Sequence, residues 1–121
     1  MSEAVLQGKT TLPMIGKLRL LVHEHDEADA ESCVAELRRA GWDVRATVAM
    51  TLGAFKKAVR SKQFDAVISD YRFPGWTGLD ALEVLKASCA NVPFLLVSGG
   101  LGDEIVVECL RRGATGCVLK S

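Results

Sequence analysis

The sequence lacks a long apolar run, an excess of one charge and any closely spaced cysteine pair. No apolar stretch reaches the roughly 18–20 residues of a bilayer-spanning helix, so no membrane partner is expected. Fifteen Lys plus Arg balance fifteen Asp plus Glu, so no long-range field favours direct nucleic-acid binding. No C-x-x-C motif or neighbouring His makes a metal site of the four cysteines, Cys33, Cys89, Cys109 and Cys117. Their spacing is typical of reduced thiols, and with no secretory signal at the start we expect a cytoplasmic protein.

The length and the hydrophobic pattern indicate one α/β domain. A chain of 121 residues has room for a single core. Residues 1–16 carry Gly, Thr and Pro without a sustained period and are predicted to be a poorly ordered leader or linker, with the domain over 17–121. Short aliphatic runs predict five buried strands, at residues 18–23, 43–48, 66–69, 94–97 and 116–119. Amphipathic stretches between these runs predict four helices.

Two of the predicted helices end in the same way. Arg38 and Arg39 precede Gly41, and Arg111 and Arg112 precede Gly113. Cations suit the negative end of the helix dipole, and glycine suits the left-handed residue that follows a helix. The alternation of strands and helices favours an open, doubly wound parallel sheet, which binds its ligand at the carboxyl ends of its strands.

Polar residues follow four of the predicted strands at that edge. Glu24 follows the first strand, Asp70 the third, Ser98 the fourth and Lys120 the fifth. Taken singly, each is more typical of a turn or a solvated surface. Together they supply oxygen ligands for Mg²⁺, a nucleophile, a hydroxyl and a cation, which phosphoryl transfer to a carboxylate requires.

Three stretches resemble the bacterial response-regulator receiver domain, the phosphoacceptor domain of two-component signalling. The most specific is FDAVISDYRFPGWTGLD at residues 64–80, followed by VPFLLVSG at 92–99 and GATGCVLK at 113–120. The resemblance covers about residues 18–120. It implies a flavodoxin-like five-stranded parallel sheet of order 2-1-3-4-5.

The resemblance also implies roles for individual residues. Asp70 would be the phosphoacceptor, Ser98 the switch hydroxyl and Lys120 the cation that neutralises the phosphate. Glu24, Asp70 and the backbone carbonyl of Arg72 would bind Mg²⁺. A sensor histidine kinase or a phosphotransfer protein would be the donor, and the surface change would reach an output domain or a second copy through the fourth-helix face. Such a domain turns over no outside substrate, so it is not expected to be an enzyme.

The sequence departs from the family at several positions. The acidic pair after the first strand falls on Glu24 and His25, or on His23 and Glu24 if one residue is inserted, so that one acid is histidine. Because Mg²⁺ prefers oxygen ligands, we expect weak Mg²⁺ binding, or a replacement ligand such as Asp26, with His25 a further candidate. Both histidines are expected to be exposed to solvent.

Three further departures lie near the end of the chain. Cys117 stands where the family usually has an aromatic residue, which weakens the expected coupling to the fourth helix. Ser121 stands where a proline usually follows Lys120, so the family's cis peptide is not favoured there. The usual fifth helix is absent from the sequence, which predicts an exposed apolar edge.

Two other functions remain open from the sequence. A pseudo-receiver would keep the fold and act only as a phosphorylation-independent protein-interaction module, as the substituted acidic pair and Cys117 favour. A flavin or nucleotide carrier on the same fold would need a glycine- or hydroxyl-rich phosphate loop after the first strand, and the acidic loop there disfavours it.

Overall fold

Strands and helices alternate along the chain as the hydrophobic pattern predicts. The computed structural model describes residues 16–88, 91–100 and 102–119. The predicted leader, apart from Gly16, and Lys120 lie outside these ranges. Within them the elements are β1 Gly16–His23, α1 Glu27–Arg39, β2 Trp42–Ala49, α2 Leu52–Ser61, β3 Ala66–Asp70, β4 Arg72–Phe73, β5 Trp76–Thr77, α3 Gly78–Ala87, β6 Phe94–Ser98, α4 Asp103–Arg111 and β7 Gly116–Leu119.

Five strands form one parallel sheet in the order β2-β1-β3-β6-β7. This confirms the expected order 2-1-3-4-5 of the five long strands. Each helix crosses from one parallel strand to the next, which a two-residue hairpin cannot do. The carboxyl ends of β1, β3 and β6 therefore lie side by side at one edge.

A short antiparallel ribbon, absent from the predicted elements, interrupts the third crossover. Arg72 pairs with Thr77 and Phe73 with Trp76, so β4 and β5 fold back directly after β3. Gly75 turns the chain between them with a φ of 88°, which an L side chain rarely adopts. The ribbon places two aromatic residues beside the end of β3.

Two hydrophobic clusters lie on opposite faces of the sheet. One joins α2, α3 and α4 through residues such as Phe55, Leu82 and Cys109. The other joins α1 to β1 and β2 through Ala30 and Val34. Successive strand residues serve opposite faces, as the period of two requires.

The helix ends follow the predicted glycines. The residue after the cap of α1 is Gly41, with a φ of 106°, and the residue after the cap of α4 is Gly113, with a φ of 112°. Both predictions are confirmed. None of the four described helices is long and apolar enough to cross a membrane.

The described residues leave a groove on the face of the sheet that α1 packs against. A groove of about 550 Å³ runs from α1 across the sheet and is lined by Ile68, Leu95, Val97 and Val118. Val118 is 50% exposed.

Candidate functional site

The register between β1 and β3 decides which polar residues meet. His23, the last residue of β1, pairs with Ser69, so that Glu24 directly follows β1 beside Asp70, the last residue of β3. Because neighbouring side chains point to opposite faces, one pair lies on each side of the sheet. Glu24 and Asp70 both line the groove beside α1, whereas the ring of His23 meets Phe55 of α2.

Two buried carboxylates and an imidazole converge at the strand ends. Glu24 is 5% exposed and Asp70 6% exposed. The Nδ1 atom of His25 lies 3.4 Å from Glu24 Oε1 and 3.9 Å from Asp70 Oδ2. One ligand atom from each of the three residues lies within 4.8 Å of the others. The His25 side chain is 45% exposed and forms the solvent side of this group.

Backbone amides orient both carboxylates. The N–H of Tyr71 donates to Asp70 Oδ1 over 2.7 Å, and the N–H of Asp26 donates to Glu24 Oε1 over 3.1 Å. The N–H of Arg72 lies 3.5 Å from Asp70 Oδ1, so the backbone of Arg72 runs beside this carboxylate. These amides leave Asp70 Oδ2 on the side that faces His25.

The donor set fits a divalent cation. Carboxylate oxygens from two strands are the hard ligands that Mg²⁺ prefers. The third side chain, His25, offers a nitrogen, which suits borderline transition metals better. The Asp26 carboxylate is the N-cap of α1, where its Oδ1 accepts from the N–H groups of Ala28 and Asp29 over 2.9 and 3.3 Å.

His23 is not exposed, and this expectation from the sequence was wrong. Its side chain is fully buried, stacked on Phe73 at a centroid distance of 4.1 Å and tilted against Phe55 at 4.7 Å. His23 Nδ1 lies 3.0 Å from Ser69 Oγ, whose hydroxyl is 2.8 Å from the Asp70 carbonyl oxygen. Burial lowers the pKa of His23 to about 4, so the imidazole is neutral at physiological pH.

The β4–β5 ribbon forms an aromatic wall against the site. Phe73 stacks on Trp76 at 5.0 Å, and its ring edge meets His25 at 5.6 Å. Phe73 thus contacts both histidines, a role that the sequence analysis missed. The Pro-Gly pair between the two aromatics was the available signal, because it is typical of a tight turn.

The start of α3 packs tightly against the end of β3. A Cβ atom on Gly78 would lie 2.6 Å from the Asp70 carbonyl oxygen and 2.6 Å from Leu96 Cδ1. Thr77 caps the helix, and Asp80 accepts from the Thr77 N–H over 2.9 Å to complete a capping box. Only glycine fits at position 78 without a shift of Asp70 or of α3.

The remaining predicted site residues lie at or beyond the ends of the last strands. Ser98 is buried and ends β6, one residue past Val97, the partner of Asp70 across the sheet. Lys120 lies outside the described residues. Cys117 is half-buried in β7 and packs on the cluster that contains Cys109, whose pKa burial raises to about 11.

Comparison with known proteins adds independent observations. The family model for the response regulator receiver domain matches residues 20–121. The chain is 30% identical over 105 residues to the transcriptional regulatory protein ZraR of Salmonella typhimurium, covering 87% of this chain and 23% of that protein. It is 32% identical over 101 residues to the transcriptional regulatory protein FixJ of Bradyrhizobium diazoefficiens, covering 84% of this chain and 48% of that protein.

A solved structure shares the fold. The non-phosphorylated HemR receiver domain from Leptospira biflexa superposes with a TM-score of 0.73 at 26% identity, covering 85% of this chain and 82% of that one. The chain spans only part of the two curated relatives named above. It covers 23% of the length of ZraR and 48% of the length of FixJ.

Proposed function

Because this chain belongs to the response-regulator receiver domain family, we propose that it accepts a phosphoryl group on Asp70 and passes the signal on as a change of surface shape. The position of Asp70 carries this proposal. Its carboxylate ends the central strand β3, is 6% exposed and lies in one cluster with Glu24 and His25. A buried carboxylate beside other metal-ligating groups is suited to nucleophilic attack on a phosphoryl group.

Asp70 Oδ2, the oxygen on the side of His25, is the proposed nucleophile, and Oδ1 accepts the Tyr71 N–H. Attack on a phosphohistidine forms the Oδ2–P bond and breaks the P–N bond, and the released imidazole takes up a proton. Glu24, Asp70 and the Arg72 carbonyl would hold the divalent cation. A bound Mg²⁺ supplies positive charge to the phosphoryl oxygens.

The other proposed roles follow from the family. Ser98 would turn its hydroxyl toward the new phosphate, and Lys120 would neutralise its charge. The resulting bias between two conformations of the loop after β6 and of α4 would change what this face binds. Val107 and Leu110 of α4 are 50% and 45% exposed, so this face offers apolar contacts.

The proposed partners are a sensor histidine kinase or a phosphotransfer protein on the donor side, and an output domain or a second copy on the α4 face. We propose a cytoplasmic, regulatory role without turnover of an outside substrate. Neither nucleic acid nor membrane is a proposed direct partner, and any DNA contact would come through an output domain.

Phosphorylation with a small-molecule donor tests the proposal. Incubation with acetyl phosphate and Mg²⁺, followed by intact-mass measurement, should add one phosphoryl group. Asp70→Asn should abolish the addition, whereas the control Asp103→Asn, on the exposed first turn of α4, should retain it. Equal labelling of Asp70→Asn and wild type would refute the assignment.

One observation favours the pseudo-receiver as a second candidate. The acidic pair falls on Glu24 and either His25 or His23, and His23 is a buried, neutral imidazole within hydrogen-bonding distance of Ser69. Fewer carboxylates mean weaker attraction for Mg²⁺. A wild-type protein that remains unlabelled at saturating Mg²⁺ and at saturating Mn²⁺ would select this candidate.

A further inference from the structure

We propose that His25 makes the pocket beside Asp70 select transition-metal dications of borderline softness, such as Ni²⁺ and Zn²⁺, over Mg²⁺. This inference rests on the proposed function in one respect, because it treats the acidic pocket as a cation site. It goes further by naming the metal class and the residue that sets the preference.

The imidazole nitrogen of His25 lies at or near the separation from each carboxylate that two ligands of a single ion would have. Ligands about 2.1 Å from a metal lie about 3.0 to 3.4 Å from one another in octahedral or tetrahedral geometry. The Nδ1 of His25 is 3.4 Å from Glu24 Oε1 and 3.9 Å from Asp70 Oδ2. The three ligand atoms all lie within 4.8 Å of one another, and the His25 side chain is 45% exposed, so it has room to move closer to the two carboxylates.

The aromatic wall contacts the imidazole ring on one side. The rings of Phe73 and His25 meet in a T-shaped arrangement, with 5.6 Å between their centroids and an angle of 61° between their planes. Glu24 and Asp70 are in turn oriented by the Asp26 and Tyr71 amides. Preoriented carboxylates lose little freedom when a metal binds, so a cation held by Glu24 and Asp70 would have the His25 imidazole beside it as a third ligand.

The chemistry of the third ligand decides between metals. Imidazole nitrogen binds Ni²⁺ and Zn²⁺ well, whereas Mg²⁺ prefers oxygen and retains its waters. Asp26 offers an alternative oxygen, but its carboxylate caps α1. Removal of the His25 side chain should therefore weaken the binding of Ni²⁺ and Zn²⁺ strongly and the binding of Mg²⁺ only slightly.

Metal titration of His25 variants tests this directly. Trp76 stacks on Phe73, so its fluorescence should report the site, and Trp42→Phe removes the other indole, which lies at the opposite end of the sheet. Affinities for Ni²⁺ and Mg²⁺ are measured by this signal and by calorimetry in wild type, His25→Ala and His25→Asp. Circular dichroism checks that each variant is folded.

We expect His25→Ala to weaken Ni²⁺ binding by about tenfold or more while changing Mg²⁺ binding by less than about twofold. His25→Asp should strengthen Mg²⁺ binding and leave Ni²⁺ weakened. Cys33→Ser, which changes a thiol that lines the same groove but is not grouped with Glu24, His25 and Asp70, should alter neither affinity. Zn²⁺ added to ¹⁵N-labelled protein should shift the Nδ1 resonance of His25.

Equal losses for Ni²⁺ and Mg²⁺ in His25→Ala, or an unmoved Nδ1 resonance with Zn²⁺, would overturn the inference. The acetyl phosphate assay separates this failure from that of the proposed function. If Asp70 is labelled but His25→Ala leaves the ratio of the Ni²⁺ and Mg²⁺ affinities unchanged, only the proposed role of His25 is refuted. If Ni²⁺ binding depends on His25 but acetyl phosphate labels Asp70 in the presence of neither Mg²⁺ nor Ni²⁺, the role of His25 is supported and the phosphoacceptor proposal is refuted.

Discussion

Substitution of Gly78 by alanine should both destabilise the protein and disturb Asp70. The added Cβ would lie 2.6 Å from the Asp70 carbonyl oxygen and 2.6 Å from Leu96 Cδ1. Ordinary carbon–oxygen contacts begin at about 3.3 Å, so a shift of about 0.7 Å is needed. Leu96 Cδ1 is a side-chain end that can rotate, but the Asp70 carbonyl belongs to the central strand and accepts the Ser69 hydroxyl.

The expected cost is about 1–3 kcal/mol, the usual range for an overpacked site. A matched control is available in α2, where a Cβ on Gly53 would meet its nearest neighbour, Thr51 Oγ1, at 4.0 Å. Gly53→Ala should stabilise the protein by up to about 1 kcal/mol, because alanine is the better helix former. The two substitutions are therefore expected to change the free energy of unfolding in opposite directions, although the chemical change is the same.

Urea unfolding followed by circular dichroism measures the two free energies. The initial rate of acetyl phosphate labelling measures the effect on Asp70, and displacement of a reacting group by nearly 1 Å should slow it by about tenfold to a hundredfold. If Gly78→Ala is as stable as Gly53→Ala and is labelled at the wild-type rate, the inference that α3 packs too closely on Asp70 to admit a Cβ atom is wrong.

Three further predictions concern single polar contacts. Arg19 donates a hydrogen bond to Asp65 and lowers the pKa of the Asp65 carboxyl from 3.8 to about 2. The ionised carboxylate therefore stabilises the folded state above pH 3.8, and this stabilisation is lost as the pH falls toward 2. Asp65→Asn should therefore unfold at lower temperature than wild type at pH 6 and at the same temperature near pH 2. A difference in unfolding temperature that is the same at pH 6 and near pH 2 would exclude the ion pair as the cause. Thr77→Ala should cost about 1 kcal/mol in urea unfolding and Thr77→Ser much less, because serine keeps the capping oxygen. Asp26→Asn should leave both stability and Mg²⁺ affinity unchanged, and a tenfold loss of Mg²⁺ affinity would show that the carboxylate binds metal rather than only capping α1.

Local features of the fold could be predicted from the sequence alone. The five long strands follow aliphatic runs, and the ends of α1 and α4 follow Gly41 and Gly113, whose left-handed conformations require little beyond local sterics. The order of the sheet came from the resemblance to a family. The short ribbon of β4 and β5 escaped prediction, because two-residue strands carry no hydrophobic period.

The two histidines show where local information ends. His23 and His25 are two residues apart in the same polar run, and the sequence assigned both to solvent. In the structure, aromatic rings from α2 and the ribbon enclose His23, whereas His25 stays at the surface beside the carboxylates. These rings come from positions 32 and 50 residues further along the chain, at Phe55 and Phe73, so no local pattern could reveal the burial.

The sequence by itself determined the alternation of strands and helices, because apolar periodicity and glycine caps act over a few residues. It also determined that an acid follows β1 and that another ends β3. Only the tertiary structure decided which residues meet. Pairing of His23 with Ser69 sets Glu24 against Asp70 on one face of the sheet, and a slip of one residue would have placed His23 opposite Asp70, or Glu24 opposite Ser69, and separated the two carboxylates.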